Sequence, residues 1–150
     1  MTKIIYIING PNLNLLGNRE TEIYGQSTLN DIENKCKEYS KNLCLDIVFK
    51  QSNIEGEIVN FIQEAGNEAS GVIINPAAYT HTSVAIHDAL KSLIIPSIEI
   101  HLSQPAKRES FRHKSFVAEV VNGTISGFGP NSYLLAMKAI DDLLKPNTES

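Results

Sequence analysis

Apolar runs of strand length alternate with stretches whose apolar residues recur at helical spacing, from one end of the chain to the other. Lys3–Asn9 is apolar on successive residues, as a strand covered on both faces must be. Gly71–Asn75 and Ser97–His101 read as further strands, the second announced by Pro96. Leu45, Ile47 and Phe49 alternate with Asp46 and Val48, which suits a strand at the edge of a sheet. A last strand ends near Gly127.

The intervening segments predict helices. Thr28-Leu29-Asn30-Asp31 has the form of a capping box, after which Leu29, Ile32, Cys36 and Tyr39 keep helical spacing. A second such box, Ser52-Asn53-Ile54-Glu55, predicts a helix lined by Ile58, Val59, Ile62 and Ala65 and ending at Gly66. Another covers Thr82–Ser92. The last starts at Pro130, well tolerated at a first helical position, and carries Tyr133, Met137, Ile140 and Leu144 as its core stripe. A short basic helix over Arg108–His113 would set Arg108 and Arg112 one turn apart, and Pro146–Ser150 reads as a frayed tail.

Five strands alternating with helices predict an α/β protein with a doubly wound, five-stranded parallel sheet of order 2-1-3-4-5, the flavodoxin-like arrangement. In such a sheet, ligands bind outside the carboxyl ends of the strands where the order reverses. That crevice would receive Asn9–Asn12 and Asn75–His81, with His101–Ser103 alongside. Three apolar runs thus end in amides, imidazoles and a carboxylate that no strand core needs, which predicts one site. Neither an internal repeat nor a linker divides residues 1–150, so one domain is expected.

Composition narrows the function classes. A chain of 150 residues can bury roughly 68–70% of its unfolded surface, and 42% apolar with 20% charged residues is the balance of a soluble globular protein. No run approaches the ~20 apolar residues that span a bilayer. The five apolar residues after Lys3 are too few for a signal peptide, so a cytoplasmic protein is expected. The net charge of -4 argues against nucleic acid as a partner. Lys107, Arg108, Arg112, His113 and Lys114 run against that charge, either as a solvated face or as a local anion site. Cys36 and Cys44, with no CxxC spacing, read as small buried hydrophobes. His81, His87 and His101 lack metal-ligand spacing, and neither a phosphate-binding P-loop nor a GxSxG elbow that would activate Ser83 occurs.

Acid–base groups remain. Arg19 and Tyr24 share the glycine-flanked loop Gly17–Gly25. A guanidinium beside a phenol favours the phenolate, a strong base; the plain alternative is that Tyr24 packs the loop and Arg19 is solvated. Glu99 and His101 lie two apart on a strand and so share a face. A carboxylate beside an imidazole fixes its orientation and favours the protonated ring, which suits a general acid, though a structural pair would look the same. Asn12 and Asn75 supply neutral donors and acceptors, and the backbone at Leu102 and Ser103 follows the fourth strand, where N–H groups could grip a carboxylate. Together these describe proton abstraction and leaving-group protonation on a small, oxygen-rich acid.

At this point the motifs resemble a family. Gly10-Pro11-Asn12-Leu13-Asn14-Leu15-Leu16-Gly17, Arg19-Glu20, Tyr24-Gly25, Asn75-Pro76-Ala77-Ala78-Tyr79-Thr80-His81-Thr82-Ser83, Glu99-Ile100-His101-Leu102-Ser103, Phe111-Arg112-His113 and Gly127-Phe128-Gly129 are similar, in order and spacing, to the type II 3-dehydroquinate dehydratases. The resemblance runs from about Ile4 to Leu144. It implies a flavodoxin-like fold and the third step of the shikimate pathway, without metal, cofactor or Schiff-base lysine. It further implies Tyr24 as the base, Arg19 as the residue lowering its pKa, and Asn12 as stabiliser of an enolate. His101 would be the acid in an anti elimination, oriented by Glu99. Asn75, His81 and Arg112 would hold ring hydroxyls, and the amides of Leu102 and Ser103 the carboxylate. Arg108 matches a family position near the base. The family assembles trimers into dodecamers, and Asp88 matches a residue that reaches a neighbour's site; here its i,i+7 relation to His81 would put both on one helix face. The chain departs from the family pattern at Thr21 (usually proline), Ala77 (often glycine), His87 (often arginine) and Gln104–Lys107.

Overall fold

The computed structural model describes residues 2–18, 22 and 25–146, which leaves Arg19, Thr21, Tyr24 and most of the predicted tail outside the described residues. In chain order the elements are β1 (Lys3–Asn9), α1 (Leu29–Leu43), β2 (Leu45–Gln51), α2 (Glu55–Glu68), β3 (Gly71–Asn75), α3 (Val84–Lys91), β4 (Ser97–His101), β5 (Gly123–Ser126) and α4 (Asn131–Leu144). The strands form one parallel sheet of order β2-β1-β3-β4-β5, the flavodoxin-like arrangement expected from the sequence.

Successive residues of a strand point to opposite faces, and β1 supplies both cores from one run. Ile5 and Ile7 join Ile73, Ile98 and Ile100 beneath α1 and α4, where Ile32, Cys36, Tyr133, Met137 and Ile140 are buried. Tyr6 and Ile8 join Val72 and Ile74 beneath α2 and α3, where Ile58, Ile62, Ile86 and Leu90 are buried. Each fully buried isoleucine contributes about 1.5–3 kcal/mol of apolar burial, so the continuous apolar runs are what place β1 and β3 at the sheet centre.

Helix boundaries follow local hydrogen bonding more than periodicity. The first predicted capping box forms: Thr28 Oγ1 accepts from Asp31 N–H at 3.1 Å and Asp31 Oδ2 accepts from Thr28 N–H at 3.0 Å. The second does not. The residue preceding α2 is Ile54, still extended and without a side-chain cap, because the Ser52 hydroxyl is engaged by Ile54 N–H and by Glu57. That helix passes through Gly66 to Glu68. Residues Ala77–His81 form a 3-10 turn, so α3 starts only at Val84, capped by Ser83 Oγ. His81 is therefore not on the helix of Asp88, and the expected shared helix face does not exist. The expected basic helix is replaced by two 3-10 turns, Pro105–Lys107 and Ser110–Arg112, with Arg108 extended between them; each turn is closed by its own short-range bonds. Pro130 caps α4 and is not its first residue. Cys36 is buried, whereas Cys44 is exposed at the end of α1 in a left-handed conformation, φ 54°. No helix among the described residues is long and apolar enough to cross a membrane.

The loops leaving β1 and β3 touch. Gly10 N–H donates to Asn75 C=O at 2.8 Å, and a Cβ on Gly10 would lie 2.4 Å from the Pro76 carbonyl oxygen. Because the obstacle is backbone, Gly10→Ala is expected to lower unfolding free energy by about 1–3 kcal/mol, the usual cost of overpacking, read from urea denaturation midpoints.

Candidate active site

Six sequence-predicted residues, Asn75, His81, His101, Leu102, Ser103 and Arg112, line one cleft at the carboxyl ends of β3 and β4, and Arg108 lines it too. Glu99 lies behind His101 and is only 1% exposed. Asn12 sits on the exposed loop after β1, left-handed at φ 68°, with its N–H donating to Asn53 Oδ1 at 2.9 Å; it is not among the residues lining the cleft. Asp88 is exposed on α3 and does not line the cleft of its own chain. Arg19 and Tyr24 fall outside the described residues.

The strand period brings Glu99 and His101 together, with His101 Nε2 at 2.5 Å from Glu99 Oε2. A carboxylate only accepts, so Nε2 carries the hydrogen and Nδ1 is left for a ligand. Two hydroxyls also reach the carboxylate. Thr80 Oγ1 donates to Oε2 at 2.5 Å, and Ser115 Oγ lies 3.0 Å from both oxygens. Burial pushes the Glu99 pKa up, but the hydrogen bonds and charge of His101, with the hydroxyls of Thr80 and Ser115, outweigh it and hold the carboxyl below its ordinary value. Glu99 is thus an anion at neutral pH.

A second buried chain fixes Asn75. Its Nδ2 donates to Tyr133 Oη at 3.1 Å, while its Oδ1 accepts from Ala77 N–H at 3.2 Å. Tyr133 Oη in turn donates to Asn9 Oδ1 at 2.6 Å, and Asn9 Nδ2 donates to Lys50 C=O at 2.9 Å. The amide oxygen and nitrogen of Asn75 are thereby assigned by their partners. Burial drives the Tyr133 phenol far above its ordinary pKa, so it stays a donor. Ala77, on the cleft wall, has φ 53°, a region where an L-residue is strained and glycine is not.

His81 Nδ1 lies 2.7 Å from Lys114 C=O. A carbonyl only accepts, so Nδ1 carries hydrogen and a neutral His81 offers Nε2 as an acceptor. Arg112 bonds Glu109 through Nε at 2.7 Å and stacks on Phe111, leaving its terminal amino groups for a ligand. The cleft therefore pairs a guanidinium with an imidazole acceptor, a fixed amide and an imidazole–carboxylate couple.

Thr80, Ser115, Tyr133 and Asn9 were not predicted as site residues. Thr80 and Asn9 stood within the strand-end motifs, and Tyr133 stood in a helical core stripe; nothing local marked Ser115.

Such a crevice on a doubly wound parallel sheet defines a flavodoxin-like α/β protein with an acid–base site. Residues 3–141 match the family model described as dehydroquinase class II. The chain is 53% identical over 143 residues to the 3-dehydroquinate dehydratase of Rhizobium johnstonii, covering 95% of this chain and 99% of that protein. It is 54% identical over 145 residues to the 3-dehydroquinate dehydratase of Brucella canis, covering 97% and 92%. The crystal structure of type II dehydroquinase from Propionibacterium acnes superposes with a TM-score of 0.91 at 43% identity, covering 95% of this chain and 98% of that one. The chain belongs to the class II dehydroquinase family.

Removing the Tyr133 hydroxyl leaves Asn9 Oδ1 and Asn75 Nδ2 unpaired in the interior. Tyr133→Phe is expected to lower unfolding free energy by about 1–3 kcal/mol with the fold retained, as thermal and urea denaturation would measure.

Proposed function

We propose that this protein is a 3-dehydroquinate dehydratase, a hydro-lyase that converts 3-dehydroquinate to 3-dehydroshikimate, the third step of the shikimate pathway. The observation that carries this reading is the 2.5 Å Glu99–His101 pair on the cleft of a class II dehydroquinase. In the proposed mechanism Tyr24, as phenolate, removes a proton from the carbon next to the ketone, and Arg19 stabilises that phenolate. Asn12 steadies the enolate oxygen. His101 gives a proton to the departing hydroxyl on the opposite face, with Glu99 carrying the negative charge opposite the imidazolium. A proton passed from the Tyr24 phenol back to His101 restores both groups.

Substrate binding follows the same donor and acceptor assignments. Asn75, His81 and Arg112 hold ring hydroxyls: His81 accepts through Nε2, and Arg112 donates. The backbone at Leu102 and Ser103 holds the carboxylate, and Arg108 adds positive potential. Asp88, exposed on α3, serves the site of a neighbouring subunit in a dodecamer of trimers.

The test mixes purified protein with 3-dehydroquinate, without added metal or cofactor, and follows the ultraviolet absorbance of the conjugated enone. Growth is expected, and it should survive pretreatment with substrate and borohydride. Absence of growth from a folded sample would favour a module that only binds a small acid. Tyr24→Phe should fold normally and lose at least about 100-fold in turnover, the low end for a general base; near-normal turnover removes Tyr24 from that role. Asp88→Ala should raise KM by about tenfold, the loss of one charge-assisted hydrogen bond. A fully active monomer by light scattering would sink the intersubunit role.

A further inference from the structure

The segment after Arg112 bonds to the turn that follows β3 and to Glu99 of β4. Lys114 C=O meets His81 Nδ1, Phe116 N–H donates to Thr80 C=O at 2.8 Å, and between them Ser115 faces Glu99. The direction of the Ser115 hydroxyl is set by its neighbours. Val117 N–H and Ala118 N–H both donate to its Oγ, at 3.2 and 3.0 Å. A hydroxyl has two lone pairs and one hydrogen, so with both lone pairs filled Ser115 is a donor only. Thr80 Oγ1, 2.6 Å from Ser115 Oγ, then has no acceptor there and gives its hydrogen to Glu99 Oε2, while the single Ser115 hydrogen faces Thr80 Oγ1 and both carboxylate oxygens, each 3.0 Å from Ser115 Oγ. Glu99 Oε2 already has Thr80 and His101, and Ser115 Oγ is equidistant from Oε2 and Oε1; among the described residues Oε1 has no other side-chain donor.

We propose that Ser115 is a positioning residue for the Glu99–His101 pair, a donor locked by two backbone N–H groups and directed at the carboxylate and at the Thr80 hydroxyl bonded to it. The inference rests on reading that pair as the acid of the dehydratase. Among the described residues, the groups facing the carboxylate are His101 from its own strand, Thr80 from the turn after β3, and Ser115. Both hydroxyls favour the charged carboxylate, which can only accept, so this arrangement resists protonation of Glu99.

Ser115→Ala and Ser115→Thr are to be made in the full chain, alone and combined with Glu99→Gln. Ser115→Ala should lower kcat about tenfold or more, part of what a general acid supplies, with KM nearly unchanged. The acid limb of the kcat profile should move to higher pH, and Ser115→Thr, which keeps the hydroxyl, should restore both. In the Glu99→Gln background Ser115→Ala should change kcat by less than about twofold, since its action passes through the carboxylate. Equal losses in both backgrounds, or an unmoved kcat and acid limb, overturn the proposal. Should Ser115→Ala not fold, Ser115→Cys replaces it, a side chain of similar shape whose thiol is a weak donor, and the same outcomes decide. An independent measurement follows the Glu99 carboxyl carbon by ¹³C NMR through pH. A higher midpoint in Ser115→Ala than in wild type is expected, and identical midpoints overturn the proposal. If wild type itself fails to turn over 3-dehydroquinate, the dehydratase reading has failed, while the NMR comparison still decides the role of Ser115.

Discussion

Glu99 is a charge almost wholly removed from water, in the middle of a strand whose neighbouring residues Ile98 and Ile100 are apolar core. Burying such an ion costs several kcal/mol unless donors and an opposite charge surround it. No single element can furnish those donors. The strand supplies His101, the turn after β3 supplies Thr80, and the segment beyond Arg112 supplies Ser115. The carboxylate therefore holds three remote pieces of chain at one point. The same three pieces carry His81, His101 and Arg112 to the cleft wall.

The second buried chain does comparable work on the other side of the crevice. Tyr133 reaches from α4 to the ends of both β1 and β3 through Asn9 and Asn75. Its ring packs in the apolar layer while its hydroxyl supplies the one donor and one acceptor that two facing amides need. Gly10 lets the backbones after β1 and β3 approach closely enough for this arrangement. The polar groups of Asn9, Asn75 and Tyr133 are thus paired with one another behind the cleft, where water would otherwise be needed.

The sheet was legible because buried parallel strands leave uninterrupted apolar runs, and an alternating run marks an edge. Glu99 and His101 were legible as a pair because a strand's period of two is rigid. Helix starts were less so. Ser52 has the residue type of a cap but its hydroxyl is spent on Ile54 and Glu57, and the turn at Ala77–His81 delays α3 in a way no periodicity records. Ser115 and Tyr133 were not legible as site residues at all. Their partners lie 16 and as many as 124 positions away, and a serine in a charged run or a tyrosine in a core stripe carries no local sign of such a partner.

Ala77 adds a consequence for shape. Its left-handed backbone costs roughly 1–2 kcal/mol that glycine would not incur, yet its methyl packs against the apolar layer beneath α1 and α4. Glycine there would release the strain and give up that packing beside the cleft wall. The cleft wall at Ala77 is therefore held in shape by a filled apolar layer behind it, against the pull of its own backbone.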